Sequence, residues 1–345
     1  MSRSYFDDFL ANDGLRSRIG SRIESGRLAH AYILEGRRGF GKHMLALRIF
    51  AALACKNRHA DPGAVPCMRC AACKKIMAGN NPDIRYIRRE GTRATLGIES
   101  VRFLAQDVLM NPIESPYKCY VIEDAHLLTP QAQNALLLTL EEPPEYVIFM
   151  LLCEQTETIL ETIRSRAPVL RLQPAKADTI REYLKSAVPQ IYKSIPEEEL
   201  KQLILLAGGS IGRALELTDA KTRKAILQNR ESADELLRCC VDRPGAAEAY
   251  AKLKNLGTNR ADIDAVLVYL SDALRDLILL KKSDTVPLLF FTDRSDASEL
   301  AGRIPLKTLR QLWSAVLEAR GMLAQNANTA LTVARFGVQT SILNL

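Results

Sequence analysis

A glycine-rich stretch near the N-terminus has the residue types and spacing of a phosphate-binding loop. Gly36 is followed by Gly39, Gly41 and Lys42, and the apolar run Ala31–Leu34 comes just before this stretch. Glycines allow successive backbone N–H groups to point at one anion, and a lysine at this position can reach the outer phosphates of a nucleotide. A strand, this loop and a following helix are therefore predicted to form a nucleotide site.

Two features of this candidate site depart from the pattern of a nucleotide hydrolase. His43 stands where the pattern requires Ser or Thr, and imidazole suits softer metals than Mg²⁺, which prefers oxygen ligands. Glu123 and Asp124 follow the apolar run Cys119–Ile122 and are acids that could hold a metal and polarise water, but in the order opposite to the usual one. We predict a degenerate site that binds ATP or ADP and does not hydrolyse it. The alternative is a glycine turn beside two solvated acids.

A cluster of cysteines follows the helix after the loop. Two overlapping Cys-x2-Cys steps can bring their thiolates to one tetrahedral ion, and a fourth cysteine upstream completes the set. The absence of a leader predicts a reducing, cytoplasmic location, where such a cluster binds metal rather than forming disulfides. The predicted ligands of a structural Zn²⁺ are Cys55, Cys67, Cys70 and Cys73. The other cysteines lie in apolar stretches and are predicted to be core thiols.

The elements that must position these residues follow from hydrophobic periodicity. Short apolar runs alternate with helix-period segments in the first half of the chain, which is typical of helices packed on a parallel sheet. The run Val147–Leu152 is apolar without alternation, which predicts burial on both faces. The predicted strands are Ala31–Leu34, Ile84–Ile87, Cys119–Ile122, Val147–Leu152 and Val169–Leu172. The predicted helices include Lys42–Ala54, Ile98–Met110, Pro130–Leu140 and Glu157–Ile163.

Length and the end of the strand pattern predict the domain organisation. The chain has 345 residues, 47 % of them apolar, which allows two or three domains. The strand pattern stops near Pro174, and helical periodicity continues almost to the C-terminus. We predict an α/β P-loop domain over 1–173 with the cysteine insert at 55–73, a small helical domain over 174–220 and an all-α domain over 221–345.

The charge of the chain is unevenly distributed. The net charge is +7, and residues 1–102 hold 19 basic and 9 acidic side chains. A basic excess of this kind favours a face that meets phosphate or nucleic acid, although a solvated surface would look the same. The composition, with its short apolar runs, excludes the membrane, secreted, fibrous and disordered classes.

Several short stretches together resemble the bacterial clamp-loader AAA+ subunits of DNA polymerase III. Besides the loop and the cysteine insert, they are His30-Ala31-Tyr32, Asn81-Pro82-Asp83, Asp124-Ala125-His126, Leu128–Leu137, Thr139–Pro144 and Arg164-Ser165-Arg166. The resemblance runs over about 1–220, and the rest fits by length and helical character only. It implies an AAA+ domain, a helical lid and a helical collar in a complex that loads the sliding clamp on primed DNA.

The resemblance leaves two subunit types in contention, the ATP-hydrolysing gamma/tau subunit and the delta-prime subunit. A motor subunit has Thr at the position of His43, an Asp-Glu pair at Glu123 and Asp124, usually Thr at Cys153 and a sensing Arg at Gly212. Four departures in one site favour the delta-prime type.

The resemblance also assigns roles to arginines. Arg166 stands in Ser165-Arg166-Ala167 where the family has Ser-Arg-Cys, which implies an arginine finger that reaches ATP on the neighbouring subunit. The alternative is a helix-end arginine that forms a surface ion pair. An arginine-rich segment is the candidate for contact with primer-template DNA, although salt bridges between subunits would use the same charges. Its candidate residues are Arg88, Arg89, Arg93 and Arg102.

The expected function is that of a largely non-hydrolysing, delta-prime-like stator. Its expected partners are the gamma/tau and delta subunits, primer-template DNA and, indirectly, the sliding clamp. We expect no catalysis by this chain alone, although the holoenzyme that contains such subunits is a nucleotidyltransferase. Two alternatives stay open: a gamma/tau-type motor with unusual site residues, and a zinc-stapled scaffold that binds neither nucleotide nor DNA.

Overall fold

The computed structural model describes residues 5–7, 9, 11–58, 64–89, 95–241, 259–283, 286, 288–325 and 327–342. Within these ranges the chain divides into two compact units. The first comprises Met1–Pro196 and Gly209–Leu215, and the second comprises Glu197–Gly208 and Glu216–Leu345. None of the described helices has the length and apolar character needed to cross a bilayer.

The first unit contains the predicted parallel sheet. The strands are β1 (Ala31–Glu35), β2 (Ile84–Ile87), β3 (Lys118–Ile122), β4 (Val147–Cys153) and β5 (Val169–Arg171). They lie in the order β2-β3-β4-β1-β5, and all neighbouring strands are parallel. The seven residues of β4 are all buried, as expected for a strand covered on both faces. Every predicted strand is thus present within one residue at each end.

Helices cover both faces of this sheet. On one face, Tyr32, Val121 and Met150 pack with α1 and α2, and on the other, Ile33, Tyr120 and Leu151 pack with α4 to α6. The helices before β4 are α1 (Asp13–Glu24), α2 (Lys42–Ala54), α3 (Ala71–Met77), α4 (Glu99–Arg102), α5 (Leu104–Asp107) and α6 (Pro130–Glu141). After β4 come α7 (Glu161–Arg164), α8 (Ala177–Ala187), α9 (Pro189–Ser194), α10 (Glu197–Ala207) and α11 (Ile211–Glu216). A single-turn 3₁₀ helix, Ala125–Leu127, follows β3.

Two predicted helices differ from those observed. The predicted helix over 98–110 appears as α4 and α5, with Phe103 between them still in a right-handed helical conformation. The predicted helix over 157–163 is reduced to α7, because the amide of Gln133 bonds the backbone before it. This amide donates to the carbonyl of Thr158 at 3.0 Å and accepts from the N–H of Leu160 at 2.8 Å. Those backbone groups are therefore held outside a helix.

A buried carboxylate anchors the loop that enters β3. Asp83 is 1 % exposed and accepts from the backbone N–H groups of Ile113, Glu114 and Ser115 at 2.6, 2.9 and 2.7 Å. The side chain of Asn81 donates to the Ser115 hydroxyl at 3.1 Å. Because a buried carboxylate must be well hydrogen-bonded, the Asn-Pro-Asp stretch has a structural role here.

The regular elements described in the second unit are all helices. Its helices after α11 are α12 (Ala220–Val241), α13 (Arg260–Leu280), α14 (Arg294–Arg303), α15 (Leu306–Ala324) and α16 (Thr329–Ile342). Its core joins α12 to α16 through residues such as Leu236, Leu270 and Phe336. The fully buried Asp276 accepts from the backbone N–H groups of Leu289 and Phe290, both at 2.7 Å. The three-domain division at 173 and 220 remains a prediction.

Candidate functional site

The glycine-rich loop has the strand–loop–helix geometry that the sequence predicts. It leaves the end of β1, and α2 begins at Lys42 with Gly41 as its N-cap. Gly39 and Gly41 have φ values of 80° and 89°, a region that favours glycine. The ammonium group of Lys42 donates to the carbonyls of Gly36 and Arg37, the latter at 3.1 Å. Burial lowers the pKa of Lys42, against the opposing effect of nearby acids such as Glu154.

The start of α11 packs directly on this loop. The N–H of Gly212 donates to the carbonyl of Gly39 at 3.0 Å, and the hydroxyl of Ser210 donates to the carbonyl of Arg38 at 3.3 Å. A Cβ atom on Gly212 would lie 2.9 Å from the Cα of Gly39. The position at which the resemblance expects a sensing arginine in a motor therefore has no room for a side chain.

An ion-paired network occupies the place where a hydrolase binds magnesium. The Nδ1 atom of His43 lies 3.2 Å from Oε1 of Glu123, and Nε of Arg88 donates to the same oxygen at 2.9 Å. Tyr86 stacks on His43 with ring centroids 5.6 Å apart, and the Arg88 guanidinium lies 4.3 Å from the Tyr86 centroid. Burial opposes ionisation of Glu123, but the hydrogen bond from His43 and the charge of Arg88 outweigh it and lower its pKa.

The second acid has its own arginine. Nε and Nη2 of Arg89 both donate to Oδ2 of Asp124, at 3.2 and 3.0 Å. Asp124 has a φ of 50°, which is uncommon for a residue other than glycine. Both members of the predicted acid pair are thus neutralised by consecutive arginines.

A cavity of about 820 Å³ joins these groups. The loop residues Gly39, Gly41 and Lys42 line it together with His43 and both acids, and Gly36 is the one predicted nucleotide residue that does not. Its apolar lining comprises Phe9, Phe40, Met44, Leu152, Tyr183, Ile211 and Leu215. A site with cationic and apolar walls of this size can accommodate a nucleotide.

The four cysteines of the insert converge. Their sulfur atoms all lie within 4.8 Å of one another, whereas a tetrahedral thiolate set around zinc has sulfur–sulfur separations of about 3.8 Å. The N–H of Cys70 donates to the sulfur of Cys67 at 3.4 Å, and the N–H of Cys73 donates to that of Cys70 at 3.5 Å. Burial alone would raise the pKa of Cys67, but the backbone N–H groups of Cys70 and Arg69 help lower it to about 6. The cluster, with Cys55 as its fourth member, could hold a zinc ion.

Arg166 lies away from the cavity and just after α7. Nη2 of Arg166 lies 3.0 Å from Oε1 of Glu141, and Nη1 donates to the carbonyl of Thr162 at 3.0 Å. The Arg166 side chain is 38 % exposed, and it does not line the cavity. The side chain is therefore partly accessible from outside the unit.

The arginines predicted to contact DNA are engaged within the chain. Arg88 and Arg89 bind the acid pair described above. Arg102 forms an exposed pair with Glu99 at 2.7 Å. Arg93 lies outside the described residues. DNA contact by this segment therefore stays a prediction.

The residues that sequence reasoning missed at the site are Tyr86 and the partners of the acid pair. Ile87 of β2 is in register with Ile122 of β3, so the two arginines that follow Ile87 must meet the two acids that follow Ile122. A pattern of Arg-Arg after one parallel strand and Glu-Asp after its neighbour was the available signal. It required knowing that β2 and β3 are adjacent.

Comparison with known proteins extends this picture. The family model described as "DNA polymerase III, delta subunit" matches residues 12–176. The chain is 34 % identical over 215 residues to DNA polymerase III subunit gamma of Buchnera aphidicola subsp. Acyrthosiphon pisum, which is 62 % of this chain and 58 % of that protein. It is 35 % identical over 162 residues to DNA polymerase III subunit delta' of Bacillus subtilis, which is 47 % of each.

A third relative is DNA polymerase III subunit tau/gamma of Haemophilus influenzae. It is 35 % identical over 217 residues, which is 62 % of this chain and 30 % of that protein. The chain thus spans less than two thirds of the length of each of these relatives. Their names include both the gamma/tau and the delta-prime types, so the matches do not distinguish these types. Over residues 12–176, which carry the parallel sheet and the phosphate loop, the chain is similar to the clamp-loader AAA+ subunits of DNA polymerase III.

Proposed function

We propose that this chain is a delta-prime-like, non-hydrolysing subunit of a DNA polymerase III clamp loader. The observation that carries the proposal is the contact of Glu123 with both His43 and Arg88. A hydrolase needs hydroxyl and carboxylate oxygens free for Mg²⁺ at this place. Here one ligand is an imidazole and the carboxylate is already neutralised. Hydrolysis at this loop is therefore disfavoured by the chemistry of the donor atoms.

Arg166 gives this subunit its part in ATP hydrolysis by a neighbour. Its side chain is partly exposed just after α7 and lies outside the chain's own cavity. Hydrogen bonds to the carbonyl of Thr162 and to the carboxylate of Glu141, both at 3.0 Å, hold the arginine in one position. A preorganised guanidinium can stabilise the charge that develops on a transferred phosphoryl group, and such a group supplied in trans accelerates hydrolysis by about 10³-fold or more.

The cysteine cluster has a structural role in this proposal. Four thiolates around one zinc ion leave no open coordination position, which is typical of a structural site. Cys55 follows α2 directly, and Cys70 caps the start of α3. The ion would therefore join the end of the loop helix to α3. We propose that gamma/tau and delta subunits and primer-template DNA are the partners of the assembled complex.

The test is ATP hydrolysis by a clamp loader reconstituted with its cognate gamma/tau and delta subunits. Arg166→Ala is expected to lower DNA-stimulated ATPase activity by about 10-fold or more at the one site that it would complete, measured as the change in burst amplitude and rate. Arg164→Ala is the matched control, because Arg164 is an exposed arginine only two residues earlier, at the end of α7. It should leave the rate unchanged.

Two results would contradict the proposal. Equal ATPase rates of fully assembled complexes that contain the wild-type or the Arg166→Ala chain would refute the proposed role of Arg166 as an arginine finger. Steady ATP turnover by the purified chain alone would instead support a gamma/tau-type motor, the type to which two of the three relatives described above belong. Size-exclusion chromatography of each complex separates a loss of catalysis from a loss of assembly.

A further inference from the structure

The groups around the phosphate loop do not fit a magnesium ion. Mg²⁺ requires near-octahedral oxygen coordination and dehydrates reluctantly. His43 presents nitrogen, Glu123 is bound by His43 and Arg88, and Asp124 is bound by both Nε and Nη2 of Arg89. A metal ion could take Oε1 of Glu123 or Oδ2 of Asp124 only by displacing the arginine that is bound to that oxygen.

Sheet register brings the arginines to this place. Ile87 and Ile122 are partners in parallel strands, and the N–H of Glu123 donates to the carbonyl of Ile87 at 3.0 Å. The next residues along each strand are Arg88 beside Glu123, and then Arg89 beside Asp124. The position of the positive charge is thus determined by backbone pairing and does not depend on a mobile loop.

The Arg88 guanidinium is held from two sides. Glu123 accepts its Nε–H at 2.9 Å, and the Tyr86 ring lies 4.3 Å from its centre. The hydrogen bond to Glu123 uses only the Nε–H group of Arg88. The Arg88 side chain also lines the cavity. A planar guanidinium fixed in this way is suited to bidentate recognition of phosphate.

The described lining of the cavity is basic overall. Five lysine or arginine side chains line it, against three carboxylates. The basic side chains are Arg38, Lys42, Arg48, Arg88 and Arg89, and the acids are Glu123, Asp124 and Glu154. After each carboxylate of the acid pair is neutralised by its arginine, Lys42 and the loop still provide positive potential for an anion.

We propose that this cavity binds a nucleoside di- or triphosphate in its metal-free form, with Arg88 and Arg89 neutralising the carboxylates of Glu123 and Asp124 in place of Mg²⁺. Lys42 and the backbone N–H groups of the loop contact the phosphates, and the apolar wall takes the base. This inference goes beyond the proposed function, because Arg166 can complete a neighbour's site whether or not this chain's own loop is occupied.

The test is isothermal titration of the purified full chain with ADP and with ATP, in buffer with excess EDTA and in buffer with excess Mg²⁺ at equal ionic strength. The dissociation constant measured in EDTA is expected to be no more than about threefold higher than the one measured in Mg²⁺. Binding that weakens by more than about tenfold in EDTA would overturn the proposal, as would the absence of measurable binding in both buffers.

A paired variant tests the role of the arginines. Arg88→Gln with Arg89→Gln should weaken binding in EDTA by at least about tenfold, which corresponds to about 1.4 kcal/mol. Arg320→Gln is the matched control, because Arg320 also pairs with a half-buried carboxylate, Asp264, at 2.9 Å, but does not line the cavity. Equal affinity in the paired variant and the wild type would overturn the assignment to these arginines. If the paired variant does not fold, the titrations of the wild-type chain in EDTA and in Mg²⁺ still test the proposal.

Failure here is distinguishable from failure of the proposed function. A chain that binds no nucleotide but whose Arg166→Ala form slows the assembled loader would refute only this inference. A chain that binds metal-free nucleotide and also hydrolyses it on addition of Mg²⁺ would refute both.

Discussion

At the scale of single residues, Gly212 lies too close to the backbone of the glycine-rich loop to carry a side chain without a shift. Its N–H bonds the carbonyl of Gly39 at 3.0 Å, and a Cβ atom would lie 2.9 Å from the Cα and 3.2 Å from the carbonyl oxygen of the same residue. We expect Gly212→Ala to reduce the free energy of unfolding by about 1–3 kcal/mol, because two backbones must separate. Urea denaturation followed by circular dichroism measures this.

Gly14→Ala is the control for this substitution. Gly14 lies in α1 of the same unit, and a Cβ atom there would meet nothing within 4 Å. Alanine should leave stability unchanged or raise it, because glycine costs up to about 1 kcal/mol in a helix. Similar losses of stability in both variants would show that crowding at the loop is not the cause.

At the scale of elements, one carboxylate at the end of α5 ties this helix to β3. Oδ2 of Asp107 accepts from the hydroxyl of Tyr120 at 2.7 Å and lies 2.9 Å from the ammonium group of Lys118, whose side chain is 5 % exposed. Burial opposes ionisation of Asp107, but the hydrogen bonds from Lys118 and Tyr120 outweigh it and lower its pKa below the ordinary value of 3.8. The ionised form therefore stabilises the native state at neutral pH.

This contact predicts a pH dependence of stability. Because the native pKa of Asp107 is below its unfolded value, its contribution is present above pH 3.8 and is lost as the pH falls through the native pKa. Asp107→Asn should cost about 3 kcal/mol at pH 7, because it leaves the Lys118 ammonium buried without its counter-charge. The difference in free energy of unfolding between the wild type and the variant should shrink below about pH 3.8, as measured by acid denaturation.

The exposed Asp178, in the first turn of α8, offers a control. Asp178→Asn should change the free energy of unfolding by about 0.5 kcal/mol or less. A difference between wild type and Asp107→Asn that stays constant down to the acid transition would contradict the ionic account.

At the scale of the whole molecule, the chain consists of two units with separate cores. One core surrounds the sheet, and the other joins α12 to α16. The cysteine cluster belongs to the first unit alone. We expect calorimetry to resolve two transitions, and zinc removal by a chelator or by Cys70→Ser to lower only one of them, by roughly 5–10 °C. Elemental analysis should show one zinc per wild-type chain and a loss in the variant.

A cysteine in the other core gives the reciprocal control. Cys240 is buried in α12 and lies outside the cluster. Cys240→Ala should leave the zinc content unchanged and lower the other transition. A single transition that moves equally in both variants would show that the two units unfold together, and wild-type protein purified without chelator that contains no zinc would refute the metal site.

Prediction from sequence succeeded for features that depend on local spacing. Five strands, the loop geometry and the convergence of four cysteines were all accessible, because each follows from periodicity or from residues close together in the chain. The helix over 157–163 was predicted too long, because the side-chain amide of Gln133 forms hydrogen bonds with the backbone of Thr158 and Leu160. A side chain from another helix determined where α7 begins, and no local pattern shows this.

The sequence by itself determined the parallel α/β class, the departure of His43 from the hydrolase pattern and the family resemblance. Only the tertiary structure decided what Arg88 and Arg89 do. The adjacency of β2 and β3 places them on Glu123 and Asp124, and their contact with DNA stays a prediction. The tertiary structure also shows that Gly212 contacts the loop backbone at Gly39, which is far from Gly212 in the sequence. Charge and volume at this site are set by groups that are distant in the chain, and Coulomb attraction and steric exclusion depend on distance in space.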